Sequence, residues 1–256
     1  MIDLRAVVSP GAQLAADVQV GPFSVIGPEV IVGPRTWIGP HVVINGPTRI
    51  GAENRIFQFA SIGEEPQDKK HRGEVTRLEI GDRNVFREFC TINRGTALDR
   101  GVTTIGSGNL FMAYTHVAHD CVLGDNIVMA NCATLGDHVH LGDWVIMGGL
   151  SAAHQFTKIG AHAFIANNTA VTRDVPPYVM AVGQPAEPHS VNSEGLKRRG
   201  FTQDQVRRIK QAYRVLYRRG LKLTEAMTEL EALAKGRPEL AGFVEFLKAS
   251  SRSIVR

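Results

Sequence analysis

The sequence predicts a mainly β chain, a parallel β-helix of six-residue repeats followed by a small α-helical domain. Three observations carry that prediction. Aliphatic residues recur at every sixth position over most of the chain as far as Val171. Aromatic residues make up only 7% of the 256, while glycine contributes 26, which suits thin repetitive β structure better than a helical bundle. Beyond Gln184 the six-residue period stops, and a period near 3.6 with helix-capping residues replaces it.

The repeat column starts at Val8 and continues through Leu14, Val20, Ile26, Val32, Ile38, Ile44, Ile50, Ile56 and Ile62. It lapses at Asp68 and Glu74, then returns in phase at Ile80, Phe86 and Ile92. It restarts one residue out of phase at Ile105 and runs by sixes to Val171. Such a period fits neither a helix nor a two-faced strand. It fits a short strand and a bend, repeated. Three units close a triangular coil of about 18 residues, each coil stacking on the last at about 4.8 Å. About ten coils make a prism roughly 45–50 Å long. The aliphatic residue points inward. Gly21, Gly33, Gly51 and Gly81 follow it directly, and Ser24, Thr36, Ala60 and Ala133 lie four places after it. These small residues are expected to let the chain turn tightly.

Two polar stretches interrupt the column, Glu64 to Glu79 and Asn93 to Thr104. Both are expected to leave the coil as loops, and loops on a rigid scaffold commonly carry function.

Pro176, Pro177, Pro185 and Pro188 mark the exit from the repeats. Thr202 and Gln205 have capping-box spacing, and Val206, Ile209, Ala212, Tyr213, Leu216 and Tyr217 form one helical face. A second helix is expected from Thr224 to Ala234, ended by Gly236, and a third from Pro238 to Ala249. This tail is expected to cap the open end of the coil, because a repeat stack needs a closing layer. The chain thus divides into a repeat domain, residues 1–190, and a helical domain, residues 191–256.

Charge follows the same division. From Ser193 to Arg256 there are 15 Lys and Arg against 7 Asp and Glu; the first 192 residues hold 14 against 18. A basic tail suits an acidic protein, nucleic acid or an anionic surface. No run approaches 18 apolar residues, so no transmembrane helix is expected. Met1 to Arg5 lack the charged and apolar regions of a secretory signal. Cys90, Cys121 and Cys132 form no CxxC and no even set, which suits reduced thiols and a cytoplasmic location.

An 18-residue step identifies distant neighbours. It takes His119 to Asp137 and then Gln155, and Asp120 to His138 and then Phe156. His116, His119, Asp120, His138, His154 and Gln155 should therefore form one outward-facing strip across three coils. Four of the nine histidines lie on it. Such a strip can supply a general base, with an imidazole oriented by Asp120. It can also supply zinc ligands, or be a set of ordinary surface histidines. Cys121 falls at an inward small position and reads as a buried thiol. Ser61 and Ser151 show no triad pattern.

The repeat body resembles the hexapeptide-repeat acyltransferases, whose fold is a left-handed parallel β-helix. Several segments narrow the resemblance to the UDP-N-acetylglucosamine 3-O-acyltransferases of lipid A biosynthesis. They are QFASIGEEPQDKK (58–70), IGDRN (80–84), HVAHDC (116–121), HQF (154–156), DVPPYV (174–179) and VNSEGLKRRGF (191–201). The likeness spans the whole chain.

The resemblance implies transfer of a 3-hydroxyacyl chain from acyl carrier protein to the 3-hydroxyl of UDP-N-acetylglucosamine. No bound cofactor is implied; the acyl group arrives on the carrier's phosphopantetheine. His119 matches the general base and Asp120 its support. The backbone N–H of Asp137 matches the oxyanion donor, at a position where the family often has Gly. Asp68, Lys70, His116, His138, His154, Gln155, Asn192, Glu194 and Arg198 match substrate-contacting positions. Asn167 matches a position that limits acyl length, and Asn should favour a shorter chain than Gly does. It lies on a different face from His119, which agrees with the homotrimer the family implies. The basic tail, with Arg207, Arg208, Lys210, Arg214, Arg218 and Arg219, then suits acidic acyl carrier protein. No nucleic-acid module and no stable membrane insertion are expected. The rivals are N-acyl transfer to an amino-sugar nucleotide, a zinc hydratase and a non-enzymatic β-helix scaffold. A related N-acyltransferase carries a domain before its repeats, for which a column starting at Val8 leaves no room.

Overall fold

A computed structural model of the chain describes residues 1–250 and 253–256. The chain winds into a left-handed parallel β-helix with three sheets, followed by four helices. The sheets hold nine, eight and ten strands and form the faces of a triangular prism. Most strands contain two residues, of which the second is buried.

The register follows the repeat. Val25 pairs with Val43, and His116 with Thr134, each one 18-residue coil apart. The step widens at two places: Ser61 pairs with Thr91, and Thr91 with His116. The first coil is longer by two whole repeats, so the column stays in phase. The second is longer by one repeat and one residue, which produces the phase slip at Ile105. The excursions are shorter than the polar composition suggests, covering residues 65–76 and 94–101. Their ends join the strands Arg77–Ile80 and Val102–Ile105: in the first, alternation buries Leu78 and Ile80, and in the second Val102, Thr103 and Ile105 are all buried.

One continuous core runs from Val18 to Val255. Ser24 and Thr36 are buried at the corners and bond the backbone of the next coil. A ladder of buried asparagines continues this role, with Asn54 Oδ1 accepting from Asn84 N–H and Asn84 Oδ1 from Asn109 N–H.

The glycines have another job than expected. The tight turn falls three places after the inward aliphatic residue, on non-glycine residues with positive φ such as Arg35, Phe59, Asp120 and His138. Gly33 lacks positive φ, but a Cβ there would meet the carbonyl carbon of Gly51 at 2.6 Å. Close stacking of coils, rather than turning, requires glycine at that position.

Stacked corner side chains make an exposed ladder along one prism edge, with the rings of Phe59, Phe89 and Tyr114 5.0 and 4.7 Å apart.

The repeats end in an antiparallel pair, Val179–Val182 with Glu187–Val191, which the sequence did not announce. Pro188 sits in the outer of these strands beside a register shift, where a missing N–H is tolerated. Four helices follow: α1 (Ser193–Arg198), α2 (Gln203–Tyr217), α3 (Leu223–Ala234) and α4 (Pro238–Ala249). The Thr202–Gln205 capping box is formed. Leu196, Ile209, Leu230 and Phe243 continue the core of the coil, so the helices close its end. Tyr178 donates to the Glu239 carbonyl at 2.7 Å, and Val255 N–H to the Asp174 carbonyl at 2.8 Å. No described helix is long and apolar enough to cross a membrane.

Candidate active site

His119 occupies the corner after strand His116–Val117. That corner was expected to face outward, but His119 is only 4% exposed. The corner of the next coil, carrying Asp137 and His138, covers it. Asp120 is fully buried beside it, with φ of +58°. An aspartate tolerates this conformation better than most residues.

The buried carboxylate is saturated. Thr96, in the 94–101 excursion, donates its N–H to both carboxylate oxygens at 3.0 Å and its hydroxyl to Oδ2 at 2.6 Å. The backbone N–H of Asp120 donates to Thr103 Oγ1 at 2.8 Å. His119 Nδ1 lies 2.9 Å from Asp120 Oδ2. An ionised carboxylate only accepts, so Nδ1 carries a proton, and Nε2 is the ring nitrogen turned away from Asp120. Burial raises the Asp120 carboxyl, but the bonds from His119 and Thr96 outweigh it and hold the group below the ordinary value. Burial lowers His119, but its bond to Asp120 and the negative charges of Asp137, Asp120 and Asp68 leave it above the ordinary histidine value.

Nε2 faces a cavity of about 1030 Å³. Asp68, Lys70, His119, Asp137, His138 and Gln155 line it, so six of the expected site residues meet there. Lys70 N–H donates to Asp68 Oδ1, which shapes the first loop. The side chains of Arg100, His140 and Lys158 add basic groups to the wall. His138 donates from Nδ1 to Asp99 Oδ2 at 2.8 Å and stacks on Phe156 at 4.3 Å. No acceptor among the described residues takes the Asp137 N–H, so this donor is available beside His119.

The other expected residues lie outside that lining. His116 shares a 2.7 Å hydrogen bond with Thr91 through Nδ1, and burial lowers it below the ordinary value. His154 is exposed and bonds the Gln155 carbonyl. Asn192, Glu194 and Arg198 sit at α1, on a different prism edge, and do not join the His119 cavity within one chain. Asn192 is buried as the cap of α1, accepting from Gly195 N–H and donating to the His162 carbonyl. Glu194 pairs with Lys197. Asn167 lies on the ladder edge, its Oδ1 accepting from Gly149 N–H at 3.0 Å.

Ligand atoms of His119, Asp120 and His138 lie within 4.8 Å of one another. The two rings nevertheless direct Nδ1 to separate carboxylates, Asp120 and Asp99. The Asp120 carboxylate in this cluster already accepts from Thr96 and His119, which occupies the lone pairs an ion would need. Cys121 is wholly buried, and burial pushes its thiol up to about 12, so it is no nucleophile at neutral pH.

Thr96, Thr103 and Asp99 were not singled out from sequence, whereas the 18-residue step did place Phe156 beside His138. The coil after the 94–101 excursion keeps the 18-residue register, with Thr104 beside Val122, and Thr103 reaches the Asp120 N–H one residue short of that step, where the count does not point.

Comparison with known proteins agrees with this architecture. Residues 174–255 match the family model described as "Udp N-acetylglucosamine O-acyltransferase; Domain 2", and residues 103–137 match "Bacterial transferase hexapeptide (six repeats)". The chain is 57% identical to the acyl-[acyl-carrier-protein]–UDP-N-acetylglucosamine O-acyltransferase of Thiobacillus denitrificans, over 98% of this chain and 97% of that one. It is 55% identical to the same-named protein of Janthinobacterium sp. (strain Marseille), over 100% and 99%. Among solved structures it resembles the UDP-N-acetylglucosamine acyltransferase of Francisella novicida, with a TM-score of 0.98, 43% identity and coverage of 100% and 94%. The UDP-N-acetylglucosamine O-acyltransferase of Moraxella catarrhalis gives the same score and identity, with coverage of 100% and 99%. The chain therefore belongs to the UDP-N-acetylglucosamine O-acyltransferase family of hexapeptide-repeat transferases.

Proposed function

We propose that this chain transfers a 3-hydroxyacyl group from acyl carrier protein to the 3-hydroxyl of UDP-N-acetylglucosamine, opening lipid A synthesis in the cytoplasm. The observation that carries this reading is the buried His119, its tautomer fixed by Asp120 and its Nε2 directed into a cavity of about 1030 Å³.

The hydroxyl proton passes to Nε2 as the sugar oxygen attacks the thioester carbon. A C–O bond forms, and the carbonyl oxygen takes the negative charge, held by the Asp137 backbone N–H. As the intermediate collapses the C–S bond breaks. The proton then moves from Nε2 to sulfur, leaving ester and free thiol. An oriented base of this kind contributes roughly 10²–10⁴ in rate. Asp68, Lys70, His138 and Gln155 contact substrate in the cavity, with His116 and His154 at its margin. Lys70 and the nearby Arg100 suit a diphosphate.

Residues 1–190 act as the catalytic domain and residues 191–256 as the helical domain that receives the carrier. Asn192, Glu194, Arg198 and Asn167 join the site through a second subunit of a closed homotrimer. The exposed ladder of Phe59, Phe89 and Tyr114, on the edge that also bears Asn167, favours such burial. In the tail, Arg207, Arg208 and Arg219 pair with Asp204, Glu239 and Glu229. Lys210 and Arg214 remain with Lys197 around a surface pocket of about 560 Å³, which suits an acidic carrier.

The test is transfer from 3-hydroxyacyl carrier proteins of several lengths, with products identified by mass. Ester formation on UDP-N-acetylglucosamine supports the reading. Transfer only to the 3-amino analogue replaces the acceptor, and no transfer to either refutes it.

A further inference from the structure

Asp137 does more here than present its backbone. Its Oδ1 stands 3.3 Å from His119 Nε2, the nitrogen turned toward the cavity. His119 is therefore held between two carboxylates, with Asp120 at Nδ1 and Asp137 at Nε2. The two differ in burial and in the bonds that hold them. Asp120 is fully buried and takes three further bonds from Thr96. Asp137 is 37% exposed in its side chain, on the cavity wall. One carboxylate is part of the frame, and the other is open to the cavity, where an entering substrate can reach it.

We infer that the Asp137 side chain is a resting-state cap on the base, occupying the place of the acceptor hydroxyl and holding His119 as imidazolium until substrate displaces it. This rests on the proposed role of His119. A family member with Gly at this position has no such group.

The surroundings favour the capped form. Asp68 approaches from the first loop and adds negative charge, while His138 lies edge-on, with ring centroids 5.3 Å apart. His116 lies on the strand that leads into this corner and also feels the negative charge of Asp137. Lys70, Arg100 and Lys158 also line the cavity and are the cationic groups there that can receive Asp137 when substrate displaces it. Uncapping exchanges an ion pair at Nε2 for a neutral hydroxyl, so it releases the imidazolium proton. The free enzyme must lose that proton before it acts, and kcat/KM therefore rises with pH through the capped titration.

The test compares wild type with Asp137→Asn and Asp137→Gly. Histidine ring NMR on the whole protein, assigned by loss of the His119→Ala signal, follows His119 without substrate. The ratio of kcat/KM at about pH 5.5 to that at about pH 8 is measured in parallel. Removing the cap should lower the His119 midpoint in both variants and raise that ratio about three- to tenfold. A His119 midpoint that stays in place in Asp137→Asn overturns the cap. A midpoint that falls while the kcat/KM ratio stays fixed also overturns it, because the pair would then exist without controlling the base. If no variant transfers an acyl group, the proposed reaction fails, and the NMR titration alone decides the cap.

Discussion

Thr96 and Asp120 are locked together by three contacts, two from the Thr96 backbone N–H and one of 2.6 Å from its hydroxyl. The relationship crosses from an excursion loop to a corner of the repeat. It turns a surface insertion into the clamp that fixes the tautomer of His119.

Removing that hydroxyl leaves a buried charged oxygen short of a donor. Thr96→Val should cost about 1–3 kcal/mol of stability and lower kcat roughly tenfold by loosening the His119 ring. Thermal unfolding and steady-state kinetics check this. A neutral outcome in both would show that the backbone N–H suffices.

Asp120→Asn tests the tautomer itself. An amide NH₂ turned toward Nδ1 would force the proton to Nε2 and remove the lone pair that accepts from substrate. The expected loss is about 10² or more in kcat, with KM for the sugar nucleotide changed little.

Acyl selection should respond to Asn167. Its side chain bonds Gly149 N–H across one coil and fills the space beside Gly148. Asn167→Gly should shift the preferred acyl group to longer chains, by about 1–3 kcal/mol of discrimination per misplaced methylene. A chain-length series that already peaks at long acyl groups in wild type contradicts this.

The stacking role of glycine gives a stability prediction. A Cβ at Gly33 would lie 2.6 Å from the carbonyl carbon of Gly51. Neither backbone can yield without disturbing the next coil, so Gly33→Ala should cost about 1–3 kcal/mol. A positive-φ corner such as Arg35 accepts Ala at a smaller cost, although its φ is +56°. Comparing the two melting temperatures separates close approach from backbone conformation.

Carrier recognition should be electrostatic. Added salt, or Lys210→Glu with Arg214→Glu, should raise KM for the carrier-bound donor well above any change for the sugar nucleotide. Equal effects on both substrates contradict a carrier site at α2.

The periodicity made most of the coil legible, because one buried aliphatic residue per six leaves a mark that few other folds leave. The 18-residue step also brought His119, Asp120, Asp137, His138 and Gln155 together. It failed where residues were inserted. Thr96 and Asp99 belong to no repeat, and nothing in their spacing points to Asp120 or His138. The exposure of His119 was misjudged because a corner in isolation faces outward, whereas a stacked neighbour and a loop cover this one. The glycines were read as turn formers because sequence does not distinguish a left-handed corner from a crowded one. Asn192, Glu194 and Arg198 lie on another edge, and uniting them with His119 requires a second chain that no single-chain pattern encodes.

His119 takes the proton of the acceptor hydroxyl in the proposed reaction. The most direct measurement is kcat for acyl transfer to UDP-N-acetylglucosamine in wild type and His119→Ala, with melting temperature recorded beside it. A fall of roughly 10²–10⁴ in kcat with the fold retained is expected. A folded His119→Ala protein that transfers at the wild-type rate would contradict it.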